Sequence, residues 1–210
     1  TYDKIDPELD PSQNFIGWNS SYTGEAIPLN EMQEWAERTT DRIRDLKPQN
    51  ILEIGCGTGL MLFRVAPVCD SYFATDFSQY PIDYLKTQVY KLGDKSDKIS
   101  FERKEAIDFS GLENLKVDTV ILNSIIQYFP NIDYLIEVIK QAIDHIEPGG
   151  RLFLGDLRNF ELLDMFRTSV EVFKAKRTDS IERLRHQISQ RVLHENELLV
   201  SPNIFAALQE

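Results

Sequence analysis

An apolar stretch, Asn50-Ile51-Leu52-Glu53-Ile54, runs directly into Gly55-Cys56-Gly57-Thr58-Gly59 and then into a helical pattern. Three glycines at alternate positions let the backbone turn sharply and approach a ligand just outside the carboxyl end of a strand, because glycine reaches positive φ and has no Cβ. This junction limits the chain to folds in which a buried strand delivers a tight loop to a ligand site. The spacing is G-x-G-x-G. A dinucleotide fingerprint, G-x-G-x-x-G, needs a glycine where this chain has Leu60. A simple Gly-rich turn between strand and helix is the alternative reading.

The rest of the chain alternates in the way such a junction requires. A loop-rich segment to about Pro28 leads into a helix from Asn30 to Leu46, with Asn30 as its cap and Met32, Trp35, Ala36, Thr39, Ile43 and Leu46 at helical spacing. Then follow strand 51–54, helix 59–66, strand 71–75, helix 81–92, strands 99–103 and 117–122, helix 131–146 and strand 151–156. Strands alternating with helices predict an α/β fold, a central mostly parallel sheet flanked by helices. Pro148-Gly149-Gly150 reads as the turn into the fifth strand, and the remainder as helices over roughly 160–176 and 179–196. Asp76 ends the second strand about 20 residues past the glycine loop, where an acid accepts hydrogen bonds from ribose hydroxyls. It can equally cap the next helix, in competition with Ser78.

Composition narrows the function classes. At 210 residues the chain supports one core, organised as an N-terminal lid and helix (1–48), a ligand-binding core (49–158) and a C-terminal helical segment on the substrate side (159–210). No apolar run reaches membrane-spanning length and no signal peptide is evident, so a cytoplasmic location is expected. The two cysteines, Cys56 and Cys69, make neither a disulfide framework nor a zinc site, and no metal is expected. A net charge of −11 argues against binding a phosphate backbone.

The glycine loop with its preceding acid, Glu53-x-Gly55-x-Gly57-x-Gly59, resembles the first motif of the Rossmann-like (class I) S-adenosylmethionine (SAM) methyltransferases. The resemblance implies SAM as cofactor, S-adenosylhomocysteine as product, and specific roles along the chain. Glu53 would help hold the cofactor's amino group, and Gly55, Cys56, Gly57 and Gly59 would lie along its methionine part. Asp76, with Phe77 beside it, would take the ribose. The loop after the third strand, Ala106, Ile107 and Asp108, would meet the adenine, Asp108 being equally readable as a solvated acid. The two final strands of the usual family sheet are not evident before Glu210.

A closer resemblance covers nearly the whole chain. Phe15-Ile16-Gly17-Trp18-Asn19-Ser20-Ser21-Tyr22-Thr23-Gly24, Val120-Ile121-Leu122-Asn123-Ser124-Ile125-Ile126-Gln127-Tyr128-Phe129-Pro130, Gly155-Asp156-Leu157-Arg158 and Glu197-Leu198-Leu199-Val200-Ser201-Pro202 look like the methyltransferase domains of nonribosomal peptide and hybrid polyketide synthetases. Those domains methylate an intermediate tethered by thioester to a carrier protein, so a carrier protein and neighbouring synthetase domains are the implied partners. Trp18 and Tyr22 read as part of a lid on the cofactor, or as an arm packed on the sheet. Asn123 follows the fourth strand as a cofactor contact, with Ser124, Gln127 and Tyr128 as pocket residues and Asp156 and Arg158 as a pair ordering the pocket or a plain salt bridge.

An amine acceptor needs only to be unprotonated and positioned, whereas a hydroxyl needs a base. His194, with Glu197 nearby, is the candidate base, and His186 the substitute; His194 at a helix end is also explained by the helix dipole, and His145 reads as structural. The motifs lean to a nitrogen acceptor and His194 to oxygen. Carbon methylation and a non-catalytic spacer domain are the alternatives. The acidic net charge disfavours a large electrostatic contact with an equally acidic carrier protein unless cations cluster locally, for example among Lys174, Lys176, Arg177, Arg183 and Arg185, for which the solvated face of an amphipathic helix is the better reading.

Overall fold

A computed structural model of the chain describes residues 9–208. Five parallel strands, β1 (Asn50–Ile54), β2 (Ser71–Asp76), β3 (Ile99–Arg103), β4 (Val117–Asn123) and β5 (Ile146–Gly155), form one sheet in the order β3-β2-β1-β4-β5. The strands β1 and β4 are buried almost without interruption because helices cover both faces of a parallel sheet. Their alternate residues feed two separate cores. Ile51 and Ile121 enter one with Leu62, Ile82, Leu85, Ala36 and Ile43, while Leu52, Ile54, Val120 and Leu122 enter the other with Leu135, Val138, Ile139 and Ala142.

The first core is closed by α1 (Leu29–Asp45), α2 (Leu62–Val65) and α3 (Gln79–Gln88), the second by α4 (Ile132–His145). Helix α1 buries Met32, Ala36, Thr40 and Ile43, one stripe at helical spacing. Its cap is not Asn30: the helix starts after Pro28, and the Asn30 side chain lies inside the first turn. Asn131 does cap α4, its Oδ1 accepting from Tyr134 N at 2.9 Å. Asp118 locks the entrance of β1, accepting from Asn50 N at 2.7 Å and Gln49 N at 3.0 Å.

Several boundaries move for local reasons. The helix expected over 59–66 is only α2, because Gly59 holds φ +85° and Pro67 shapes a tight turn over Ala66–Val68. The helix expected to reach residue 92 ends at Gln88 and gives way to tight turns broken at Gly93 (φ +58°). The Pro148-Gly149-Gly150 turn is not a lead-in to β5 but a bulge within it: Val117 pairs with Ile146, and Thr119 already pairs with Arg151. At its other end β5 stops at Gly155, since Asp156 adopts φ +56°.

After β5 the chain forms α5 (Leu163–Lys174) and α6 (Ile181–Leu193), packed on each other, and a short α7 (Asn203–Ala207). Both long helices are shorter than expected; Ser180 caps α6 by accepting from Arg183 N. Between α6 and α7 the chain returns to the sheet's end, with Leu198 N donating to Gln127 O and Val200 N donating to Arg158 O, both at 2.8 Å. Among the described residues the sheet has no sixth or seventh strand; a single bridge, Asn159 to Val200, marks where the chain runs beside itself. No helix among the described residues is long and apolar enough to cross a membrane.

Candidate functional site

The strand order reverses at β1, whose neighbours β2 and β4 lead the chain in opposite directions. Such a switch point opens a crevice at the carboxyl ends of the strands. A cavity of about 810 Å³ lies there. Its floor is Glu53 to Thr58, one side is Asp76 and Phe77 at the end of β2, the next is Lys104 to Ala106 after β3, and the far side is Asn123 to Ile125 and Gln127 to Pro130 after β4. Asn14, Ile16, Gly17, Trp18 and Trp35 cover it.

The glycine loop is held by β2. Gly55 N and Cys56 N both donate to Thr75 O, at 2.8 and 2.9 Å, and Gly57 N donates to Asp76 Oδ2 at 3.0 Å. Gly55 has φ +76°, and a Cβ there would lie 2.5 Å from the Ile125 side chain, so only glycine fits the crossing of loop and β4 end. Gly59 does not line the cavity; its missing Cβ makes room for Leu85 at 2.5 Å, so it serves packing.

Two buried acids stand under this loop. Glu53 accepts from Tyr72 Oη at 2.8 Å and is 3% exposed. Burial pushes its carboxyl up to about 7; the Tyr72 hydrogen bond opposes this and the nearby Asp76 adds to it. Asp76 is raised by burial against the N–H donors of Ser78 and Gly57. Its Oδ1 accepts from Ser78 N at 2.9 Å, so one carboxylate faces the cavity and also shapes the turn into α3, while the Ser78 side chain makes no capping bond. The Cys56 thiol is pushed well up by burial and by the same two acids, which keeps it neutral.

On the β3 side Ala106 lines the cavity, but Ile107 and Asp108 do not. Asp108 is engaged with Ser110 N at 3.0 Å and lies 3.7 Å from Lys104 Nζ, which itself donates to Ser110 O at 2.6 Å. The carboxylate-bearing residue lining this wall is Glu105. Across the cavity, Asp156 Oδ2 accepts from Ser124 Oγ at 2.8 Å, and Ser124 Oγ accepts from Asn123 Nδ2 at 3.0 Å. Ser124 and Asp156 both sit in the left-handed region, φ +60° and +56°, a conformation that costs non-glycine residues about 1–3 kcal/mol and gathers at functional sites. Gly155 completes the seat, since a Cβ there would lie 2.1 Å from Asn123 Oδ1.

Asp156 and Arg158 are therefore not a pair. Arg158 instead binds Glu197 and Glu195, and Arg167 Nη2 donates to the same Glu195 at 2.5 Å. Burial would raise Glu195, yet the Arg167 hydrogen bond and both arginine charges hold it below the usual carboxylate range. This cluster fastens the segment after α6 to α5, and neither Asp156 nor Arg158 lines the cavity. Glu197 is thus part of a structural ion cluster.

His194 lies exposed at the end of α6, 3.2 Å from Gln190 Oε1, and His186 is exposed on the same helix; neither lines the cavity. The geometry thus gives neither histidine a place in the cavity wall. His145 stacks on Phe109 at 4.9 Å with Nδ1 on Gln141 O, a packing role. Trp18 lines the cavity and leans on Trp35 at 4.6 Å. Tyr22 does not; four residues on, at the tip of the 18–27 loop, its hydroxyl meets Ser169 Oγ at 2.9 Å and its ring meets Phe173 edge-on.

Asn14, Trp35, Lys104, Glu105 and Tyr134 line the cavity without having been singled out in the sequence. Trp35 was visible only as one member of a helical stripe, and Asn14 belongs to an aperiodic segment. Three of the lining residues carry buried polar atoms with no hydrogen-bond partner among the described residues: Asn14 Nδ2, Asn123 Oδ1 and Gln127 Oε1. Groups of that kind call for a partner the chain does not supply.

Residues 52–152 match the family described as methyltransferase domain. The chain carries a methyltransferase domain over these residues. It is 48% identical over 199 residues to chondramide synthase CmdD of Chondromyces crocatus, covering 95% of this chain and 5% of that protein. An O-methyltransferase family protein of Burkholderia thailandensis shares the fold, with a TM-score of 0.58 at 18% identity over 85% of this chain and 49% of that one. A structure of DhpI with SAM does so with a TM-score of 0.52 at 19% identity, over 70% and 63% of the two chains. The chain spans 2–8% of the length of the curated relatives it matches, several of them nonribosomal peptide synthetases, so its counterparts are single domains among many.

SAM is the cofactor of this family, and the donor set fits it. The molecule carries a sulfonium and an ammonium, a ribose diol and an adenine, and this cavity offers Glu53, Asp76 and Glu105 against one cation, Lys104, already engaged by Glu102 at 3.2 Å and by Ser110. Its volume lies in the usual range for a small-molecule site, about 300–1,000 Å³.

Proposed function

We propose that this domain methylates the nitrogen of an aminoacyl group tethered by thioester to a carrier protein, within a cytoplasmic synthetase. The observation that carries this reading is the make-up of the wall after β4. Asn123 and Gln127 line that wall as uncharged amides, and none of the three histidines, 145, 186 and 194, lines the cavity. An amide oxygen can accept from an N–H and turn the nitrogen lone pair toward the methyl group. It cannot remove a hydroxyl proton. An α-amine needs no such help, since its ordinary pKa of about 7.7–8.0 leaves about a tenth or more of it as free base at pH 7.

Bound SAM supplies an electrophilic methyl on a sulfonium. In the reading proposed, Asp76 would hold the ribose, Glu53 the ammonium, and Asn14 the carboxylate through its unpartnered Nδ2. Trp18 and Trp35 would keep water from the reacting line. The transfer these residues would align exchanges a carbon–sulfur bond for a nitrogen–carbon bond, with the electron pair left on sulfur and one proton given up by nitrogen to solvent.

The test is intact mass spectrometry of two carrier proteins after incubation with the domain and SAM, one bearing an aminoacyl and the other a β-hydroxyacyl thioester. One methyl gained on the aminoacyl carrier alone supports the reading. A gain on the hydroxyacyl carrier alone replaces it with O-methylation. No gain on either, with no heat of SAM binding, supports a spacer domain.

A further inference from the structure

Helix α6 is only partly covered: none of its 13 residues is fully buried, and its apolar stripe, Leu184, Ile188 and Val192, is half-buried. It is the far half of a pair with α5, and the elbow joining them presents Val172, Phe173 and Ile181 at 55%, 61% and 66% exposure. Cations surround these apolar groups. Between residues 174 and 191 six Lys and Arg face only Asp179 and Glu182, a local excess of four positive charges in a chain whose net charge is −11. Arg183 pairs with Asp179 and Arg191 with Glu171. Lys174, Lys176, Arg177 and Arg185 have no ion pair among the described residues.

The solvated face of an amphipathic helix accounts for the charged side of α6, whose Leu184, Ile188 and Val192 are half-buried, but not for the elbow, where Val172, Phe173 and Ile181 are exposed together with the charged side chains. Arg185 follows Ile181 by four residues, so the two share a face. The elbow is also fixed in shape: Asp179 Oδ2 accepts from Lys176 N at 2.9 Å, Lys176 O accepts from Asp179 N at 3.0 Å, and Ser180 caps α6. A rigid surface with an apolar centre and a basic rim suits a folded acidic protein better than a flexible polyanion.

Position indicates which protein. Phe173 touches Tyr22, and Tyr22 is the tip of the 18–27 loop whose base, Trp18, lines the cavity. A partner seated on the elbow lies beside the lid. We infer that the α5–α6 elbow is the docking surface for the acidic carrier protein that presents the tethered acceptor; this rests on the carrier-bound reading proposed above.

The test compares two acceptors and one binding measurement. The triple variant Lys176→Glu, Arg177→Glu, Arg185→Glu should lower kcat/KM about tenfold or more on an aminoacyl carrier protein, chiefly through KM, and leave it unchanged on an aminoacyl pantetheine thioester with no carrier. Raising the salt should erase most of the difference. A loss of equal size on both acceptors, or no loss on either, overturns the docking surface.

Fluorescence anisotropy of a labelled, unloaded acidic carrier domain tests the surface without catalysis. Binding by the parent chain that the variant loses supports docking even if no methyl is transferred, in which case it is the N-methylation reading that fails. Methylation of the free thioester with no carrier binding refutes docking and spares that reading. Tighter binding of single-stranded RNA or of phosphatidylserine vesicles than of the carrier domain also refutes it.

Discussion

Glu53 is the residue on which pH should act most directly. Its carboxyl is raised from 4.5 to about 7 in the folded chain, so between those values the folded protein holds a proton that the unfolded chain has lost, and stability falls as pH rises through that window. Glu53→Gln keeps an acceptor for Tyr72 and removes the buried charge. It should gain up to about 3 kcal/mol over the parent at pH 8 and almost nothing at pH 4, as read by chemical denaturation. A cationic cofactor favours the ionised form, so SAM affinity should rise from pH 6 to pH 8 in the parent and stay flat, and weaker, in the variant. The Asp156–Ser124–Asn123 chain makes a different prediction. Asp156→Ala frees the Ser124 hydroxyl and with it the Asn123 amide, and should lower turnover about tenfold while SAM affinity changes less than twofold. His194→Ala, by contrast, should leave turnover unchanged, since the residue caps the end of α6, and its side chain meets Gln190 and does not line the cavity. Glu53, Gly55, Gly57, Asp76, Asn123, Ser124, Gln127 and Tyr128 are all found at the cavity, as contiguous motifs at strand ends allow a reader to place them. Asp108 and His194 were misplaced because sequence proximity to a motif does not show where a side chain's own hydrogen bonds take it.

At the scale of elements, the strand ends are fixed by packing that alternation reveals and by glycines whose neighbours it does not. Strands β1 to β4 were legible within one residue, because continuous apolar runs bounded by polar turns have one reading in an alternating pattern. Helix ends were less so: α2, α3 and α5 stop where a positive φ or a local turn intervenes, or where a tight turn takes the first residues, as at Phe160–Leu162. Helix α4 illustrates what holds the layer. Leu135, Val138, Ile139 and Ala142 form its inner stripe, and Leu135 is fully buried. Leu135→Ala should cost about 2–5 kcal/mol, seen as a lower denaturation midpoint with an unchanged m-value. A smaller cost would mean that β4 and β5 collapse into the space.

At the scale of the molecule, charge and shape divide the labour. The strand-end cavity is acidic beneath its glycine loop and suits a cationic cofactor, whereas the basic elbow stands on the opposite side of the lid loop from the cavity's interior. The 18–27 loop joins the two, with Trp18 over the cavity and Tyr22 on α5. The glycine loop made the layered α/β architecture legible, but the elbow's exposure was not, because no local pattern tells which apolar residues at the joint of two packed helices stay uncovered. The central claim is that this cavity holds SAM by the groups at the ends of β1 and β2. Titration calorimetry with S-adenosylhomocysteine on the parent chain and on Asp76→Ala at pH 8 tests it most directly. One-site binding by the parent, weakened at least about tenfold in the variant, is the predicted result. Equal affinity in the two, or no heat from a parent chain that is folded, would contradict it.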